Sequence, residues 1–329
     1  MPPTISGRRR SRPAAPRPAQ PPRPLRPPRV VVFGDLMVDV VLAPARPLAV
    51  GTDVPGRVAL RQGGSAANTA SWLARLGARA TLVCAVGRDH EGRELVSALE
   101  RDGVRVRAVR VAGERTGRIG VVVAPGGERS FVADRAAADR LAPGDLAAST
   151  FAVDLVHLPA YSLLGLPLGL AGRRAIDLAR AAGALVSLDL SSVGPLLAGG
   201  RRAALRLVRD AAPDILFATL VEAEAISGGR DVTGLGEMAR IVVIKQGRAG
   251  ATVLSRAGSD RLAFDVATTA IDAIDTTGAG DAFDAGFLVA WLSAEAASRA
   301  RPATLHRAVV AAHRAAARQL SSVPRELAL

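Results

Sequence analysis

The residues with the clearest chemical potential are the run Asp275-Thr276-Thr277-Gly278-Ala279-Gly280-Asp281, which opens a long apolar helical pattern over 282–292. Small residues at 278–280 let successive backbone N–H groups converge with no side chain in the way. At a helix N-terminus those groups and the helix dipole together favour an anion. Asp281, at the start of that helix, is placed to take a hydroxyl proton. The N–H groups of Gly278, Ala279 and Gly280 would meanwhile stabilise charge on a phosphoryl group in transit. The same residues also admit a plainer reading, a glycine turn followed by an ordinary first-turn acid. A further acid is delivered by the β-branched block 29–35, which reads as a buried strand ending in Gly34-Asp35.

Several other chemistries are excluded. A Walker-type phosphate loop needs Gly-Lys-Ser/Thr, but the one lysine, Lys245, stands between Ile244 and Gln246. A dinucleotide fingerprint belongs on the first strand–helix turn, whereas Gly278-Ala279-Gly280 lies near the C-terminus and continues Asp-Ala-Phe. Cys84 is the only cysteine, so neither an internal disulfide nor a cysteine-rich zinc site can form. It lies in an apolar strand pattern and reads as a small core residue. His90, His157, His306 and His313 show no metal-ligand spacing.

The elements that must position this chemistry alternate in type. Apolar strand patterns run at 29–35, 80–86, 118–124, 154–158, 184–190, 214–217, 241–244 and 251–254, with helical patterns at 65–76, 166–182, 201–210 and 221–226 between them. A last helical pattern over 305–320 reads as packing. Near-continuous apolar strands with intervening helices predict a parallel sheet covered on both faces. The stretches from about 40 to 62 and from 105 to 134 are strand-rich without helices, which predicts a small β-flap. Over a ligand such a flap would exclude water.

Of 329 residues, 49% are hydrophobic and 22% charged, enough for a substantial core, and the net charge is +13. The first 29 residues carry eight arginines, many prolines and no acid. Residues 1–28 therefore read as an extended arm, either a solvated tail or an early start of translation, and a nucleic-acid partner is not expected. The aromatic share of 3% also argues against a stacking platform for single strands. No apolar run reaches the roughly 18–20 residues of a membrane-spanning helix, and cysteine usage fits the cytoplasm.

The string 275–281 closely resembles the C-terminal signature of the ribokinase-like (PfkB) family of carbohydrate kinases, D-T-x-G-A-G-D. A second signature of that family precedes it in the expected order, Gly63-Gly64-Ser65-Ala66-Ala67-Asn68-Thr69-Ala70. The likeness extends to Gly34-Asp35 with Asp39, and to Val243-Ile244-Lys245-Gln246-Gly247 with Gly250, over about residues 29–320.

The resemblance implies an α/β fold, the ribokinase-like three-layer sandwich with a mainly parallel central sheet and a small β-lid, as one kinase domain over 29–329. It implies ATP-dependent phosphorylation of a hydroxyl on a small sugar or, by the same chemistry, on a nucleoside. A non-catalytic binding protein keeping the fold is the different-class alternative, against which the intact 278–281 string speaks. Asp281 is then the general base, and Gly278, Ala279 and Gly280 form the anion hole. Asp35, Asp39, Gly64, Asn68 and Asp275 would hold the acceptor. Lys245, Gly247, Gly250 and Thr219 fall on the nucleotide side, and Glu222 would organise Mg2+ through water. Members often also use a monovalent cation such as K+, and often pair through their lids.

Three departures stand out. Thr219-Leu220-Val221-Glu222 has Thr in place of the family's Asn. Asp284 stands where many members carry Asn, adding a like charge one turn from Asp281. Asp189-Leu190-Ser191-Ser192 lacks the Asp-Pro-Asn of many relatives.

Overall fold

The computed structural model describes residues 26–124, 129–229, 231–257, 260–269, 275–323 and 326–327. Most of the predicted arm, and residues 125–128 of the predicted flap, lie outside the described residues. In chain order, β1 (Arg29–Phe33) is followed by β2 (Met37–Pro44), β3 (Gly56–Gly63), α1 (Ser65–Arg75), β4 (Arg79–Gly87), α2 (His90–Arg101) and β5 (Arg105–Val111). Next come β6 (Arg118–Val123), β7 (Arg129–Asp134), β8 (Leu155–Pro159), α3 (Leu168–Ala181), β9 (Leu185–Asp189), α4 (Val193–Leu197), α5 (Arg201–Ala211), β10 (Ile215–Thr219) and α6 (Leu220–Ser227). The chain closes with β11 (Ile241–Lys245), β12 (Ala251–Ala257), β13 (Asp260–Val266), α7 (Ala279–Leu292) and α8 (Pro302–Leu320).

Nine strands form one sheet in the order β13-β12-β11-β10-β9-β8-β1-β4-β5. It is parallel from β11 through β5, while β12 and β13 add on antiparallel. Side chains alternate across a strand, so β1 sends Val30 and Val32 to one face and Val31 and Phe33 to the other. The first face packs on α1, α2, α7 and α8 through residues such as Leu73, Leu95, Phe287 and Leu305. The second packs on α3, α5 and α6 through Ile176, Val208 and Ile226. Both apolar layers are buried, which gives the expected three-layer sandwich. Between α7 and α8 the fit depends on Gly286, where a Cβ would lie 2.8 Å from the Ala312 Cα.

The lid is a separate four-stranded sheet in the order β3-β2-β6-β7, with Val41, Ala59 and Val121 as its own small apolar cluster. One boundary differs from expectation. Residues 105–111 are not lid but β5, the edge of the main sheet, paired parallel to β4 from Thr81↔Arg105 to Gly87↔Val111. The crossover is α2, a helix absent from the sequence reading. Its start carries a physical signal, since the Asp89 carboxylate accepts the Gly92 N–H at 2.9 Å. Val106 and Ala108 pack on one face of β5 and Val109 and Val111 on the other. That two-sided burial, together with the parallel pairing, places the segment in the main sheet.

Candidate active site

Parallel strands of an α/β sheet gather ligands at their carboxyl ends, and β1, β9, β10 and β11 deliver Asp35, Asp189, Thr219 and Lys245 to that edge. The tip of α7 faces the same edge. Gly278 is its N-cap in the left-handed conformation, φ 73°, and no side chain caps the helix. The Ala279 N–H turns back onto the Thr276 carbonyl at a long 3.3 Å. Those of Gly278 and Gly280 have no acceptor among the described residues. Of the three expected anion donors, two are thus open and one is weakly held. Asp275 closes the loop before them. It accepts the Thr277 N–H at 2.9 Å and Arg61 Nη1 at 2.8 Å, with Arg129 at 3.6 Å. Burial would raise its pKa, but the bonds from Thr277 and Arg61 outweigh burial and hold the group below the usual carboxylate range. Arg129, from lid strand β7, also donates to the hydroxyls of Thr276 and Thr277.

Asp281 lies in the first turn of α7 and meets α1. Ser65 Oγ donates to one carboxylate oxygen at 2.6 Å and Asn68 Nδ2 to the other at 3.0 Å. Burial pushes this carboxyl up to about 7, against the pull of those two donors. The group is therefore partly ionised at neutral pH, where a general base works best. Ser65 was not among the expected site residues, although it sits inside the second signature.

On the acceptor side the structure divides the two acids expected to bind hydroxyls. Asp39 is buried, and its Oδ1 has no hydrogen-bond partner. Burial, then the charges of Asp35 and Asp281, raise it to about 7. A buried acceptor left unmet is costly, and a ligand hydroxyl would satisfy it. Asp35, by contrast, is already committed to the N–H of Ala66 at 3.1 Å and to Arg135 at 3.1 Å. Arg135 is itself largely buried. It also bonds Asp139 at 2.6 Å and lies over the Tyr161 ring.

The paired glycines have distinct reasons. Gly64 has φ 99°, which disfavours any side chain, while a Cβ on Gly63 would stand 1.8 Å from Asp39 Oδ1. Gly63→Ala must therefore displace the unmet carboxylate. We expect the acceptor KM to rise by about tenfold or more, on the scale of one hydrogen bond to a charged group, with the nucleotide KM little changed. Unchanged acceptor kinetics would remove Asp39 from the acceptor site. Asp39, Arg61, Asn68, Asp275 and Gly278 border one cleft of about 320 Å3.

A second cleft, of about 880 Å3, opens on the other side of the α7 tip, bounded by Thr219, Lys245, Gly247, Gly250, Ala279 and Gly280 among others. The helix tip is thus open to solvent-filled space. Gly247 and Gly250 turn the chain between β11 and β12 with φ 56° and 103°. At Gly250 a Cβ would meet the Val266 carbonyl at 2.2 Å. Thr219 and Glu222 form a reciprocal cap on α6: Thr219 Oγ1 accepts the Glu222 N–H at 3.3 Å, and Glu222 Oε2 accepts the Thr219 N–H at 2.8 Å. Thr in place of the family's Asn thus serves as the helix cap. Burial and the nearby Asp189 raise Glu222. One of its oxygens is left for another partner, and hard oxygen donors of this kind suit a hydrated divalent cation. Among the described residues no three His, Cys, Asp or Glu side chains group as metal ligands.

Lys245 lines this cleft, but its ammonium is already held, by Asp189 at 3.1 Å and Asp284 at 3.2 Å. Burial would lower its pKa, but the two carboxylates outweigh burial and keep it charged. Asp284 is accordingly the partner of Lys245, and not only a like charge beside Asp281. Asp189, noted in the sequence only for its missing motif, is the third member of the cluster.

The family model for pfkB family carbohydrate kinase matches residues 27–323 of this chain. The chain is 30% identical to probable fructokinase-3 of Arabidopsis thaliana over 269 residues, covering 77% of this chain and 75% of that protein. Its fold matches the adenosine kinase from Sinorhizobium meliloti with a TM-score of 0.78 at 23% identity, over 92% of this chain and 96% of that one. It also matches the fructokinase from Vibrio cholerae O395, solved with fructose, ADP and calcium ion bound, with a TM-score of 0.73 at 23% identity, over 90% and 94%.

Proposed function

The chain belongs to the pfkB family of carbohydrate kinases, phosphotransferases with an alcohol group as acceptor, and we propose that it moves the γ-phosphoryl group of MgATP onto a hydroxyl of a small sugar. The acceptor oxygen attacks the γ-phosphorus, the bond to the β,γ-bridging oxygen breaks, and ADP leaves with that electron pair. The hydroxyl proton passes to Asp281. The observation that carries this reading is the placement of the Asp281 carboxylate, poised near neutrality and oriented by Ser65 and Asn68 at the open tip of α7.

In this reading Asp39 and Asn68 receive the sugar hydroxyls, and Asp35 braces the start of α1 through the Ala66 N–H. The N–H groups of Gly278 and Gly280 stabilise the phosphoryl charge. Thr219, Gly247 and Gly250 shape the nucleotide cleft, and Lys245 adds positive charge beside it. Magnesium supplies charge neutralisation on the phosphates, with Glu222 holding it through water. The lid, tied to the α7 tip through Arg61 and Arg129, excludes competing water. Val58, Phe131 and Val132 stand exposed on it, which supports pairing of two copies through their lids. No helix among the described residues is long and apolar enough to cross a membrane.

A sugar is favoured over a nucleoside because a base needs a stacking ring. Trp72 is the only aromatic residue bordering the acceptor cleft among the described residues, and its ring is buried with the Arg75 guanidinium over it. The test is ADP release from the full-length protein with MgATP and K+, against a panel of fructose, ribose, a 2-keto-3-deoxy sugar acid and adenosine. We expect turnover with a sugar. Release with adenosine alone would assign a nucleoside acceptor, and silence across sugars and nucleosides would defeat the reading.

A further inference from the structure

The peptide joining Thr277 to Gly278 is held from behind by a residue far away in the chain. Gln319, in the last turn of α8, donates from Nε2 to the Thr277 carbonyl at 2.9 Å. Its own Oε1 accepts the Trp72 indole N–H, from α1, at 3.0 Å. The amide is used at both ends, and flipping it would set donor against donor and acceptor against acceptor. Gly278 leaves room for this contact, since a Cβ there would come 3.3 Å from Gln319 Nε2.

A trans peptide is planar, so its C=O and the N–H that follows point in opposite directions. Drawing the Thr277 carbonyl toward α8 therefore aims the Gly278 N–H the other way. That N–H is one of the two at the α7 tip with no acceptor among the described residues. We propose that Gln319, itself fixed by Trp72, is a positioning residue that orients the Gly278 N–H toward the phosphoryl group being transferred. The inference rests on the kinase reading and deepens it. It gives α8, which otherwise reads as a packing helix, a direct part in setting the anion hole.

The test compares three variants of the full-length protein with the sugar that the panel identifies. Gln319→Glu keeps the shape and the acceptor for Trp72, but its carboxylate has no N–H for the Thr277 carbonyl and repels that oxygen. Gln319→Leu removes both bonds, and Trp72→Phe removes the outer one only. Losing an oxyanion donor outright costs about 10²–10³ in turnover. A misdirected donor should cost less, about 30–100-fold in kcat for both Gln319 variants and about threefold for Trp72→Phe. The acceptor KM should stay within about threefold in Gln319→Glu, which keeps the shape of the cleft wall that Gln319 shares, a split that loosened packing would not give. A readout without acceptor uses calorimetric binding of MgADP with and without aluminium fluoride. Fluoride should tighten the wild type, and most of that gain should vanish in Gln319→Glu. A Gln319→Glu protein with kcat near wild type and the full fluoride gain overturns the inference while leaving the kinase reading intact. A wild type showing neither turnover nor a fluoride gain overturns both.

Discussion

Asp281→Asn is expected to lower turnover by about 10³–10⁴-fold, the range a general base supplies at its upper end, while MgADP binding stays close to wild type. The amide keeps the size of the carboxylate but cannot take the hydroxyl proton, so only the proton-transfer contribution is lost. The pH profile gives an independent readout. Burial raises the Asp281 carboxyl to about 7, so kcat/KM should fall about tenfold per unit below that pH and level off above it. In the variant this limb should be gone from whatever activity remains. Stability should move in the opposite sense. A carboxyl whose pKa is higher folded than unfolded binds its proton more tightly in the folded state. Its contribution is therefore fully present below about 3.8 and is lost as pH rises through about 7. Asp39, also raised to about 7, adds to the same trend. Asp281→Asn should consequently melt higher than wild type at pH 8, with the gap narrowing toward pH 5. Turnover within tenfold of wild type would take the base role away from Asp281.

The parts of this molecule that can be read along the chain are those whose cause is local. The small residues at 278–280 followed by an apolar helix announce an open helix tip, and the β-branched blocks announce buried parallel strands. The edge strand β5 misleads because its three arginines in seven residues, Arg105, Arg107 and Arg110, make it look like a solvent-facing lid strand. Only the crossover through α2 reveals where it pairs. The side-chain contacts that stayed hidden share a different cause. Arg61 meets Asp275 across 214 positions, Gln319 meets Trp72 across 247, and Arg135 meets Asp35 across 100. Nothing near any of them in the sequence marks the contact. The family likeness carried Lys245 and Asp284 as separate positions, one on the nucleotide side and one as a departure. Their pairing belongs to the fold, where the end of β11 meets the second turn of α7.

That pairing leads to the second large effect, expected for Lys245→Met. The ammonium is the one cation hydrogen-bonded to Asp189 and Asp284 among the described residues, and its charge also acts on Glu222. Removing one partner of a buried ion pair leaves the other charge without compensation and costs about 3–5 kcal/mol. Urea unfolding should therefore show a markedly lower midpoint, and MgATP should bind more weakly because the cleft loses a positive wall. The sign of the pH dependence identifies the cause. Burial already raises Asp284 and Glu222, and Lys245 pulls both back down, so without the ammonium these two carboxyls rise further above their unfolded values and stability declines as pH rises. The deficit should be larger at pH 9 than at pH 6. Adding Asp284→Asn to Lys245→Met removes one of the uncompensated acids and should recover part of the loss, although Asp284→Asn alone should destabilise by breaking the pair. Such a reversal of sign is the mark of direct coupling in a double-mutant cycle. If the two substitutions simply added, the cluster would be three charges that happen to be neighbours, and the substitution of Asp for Asn at position 284 would have no partner to explain it.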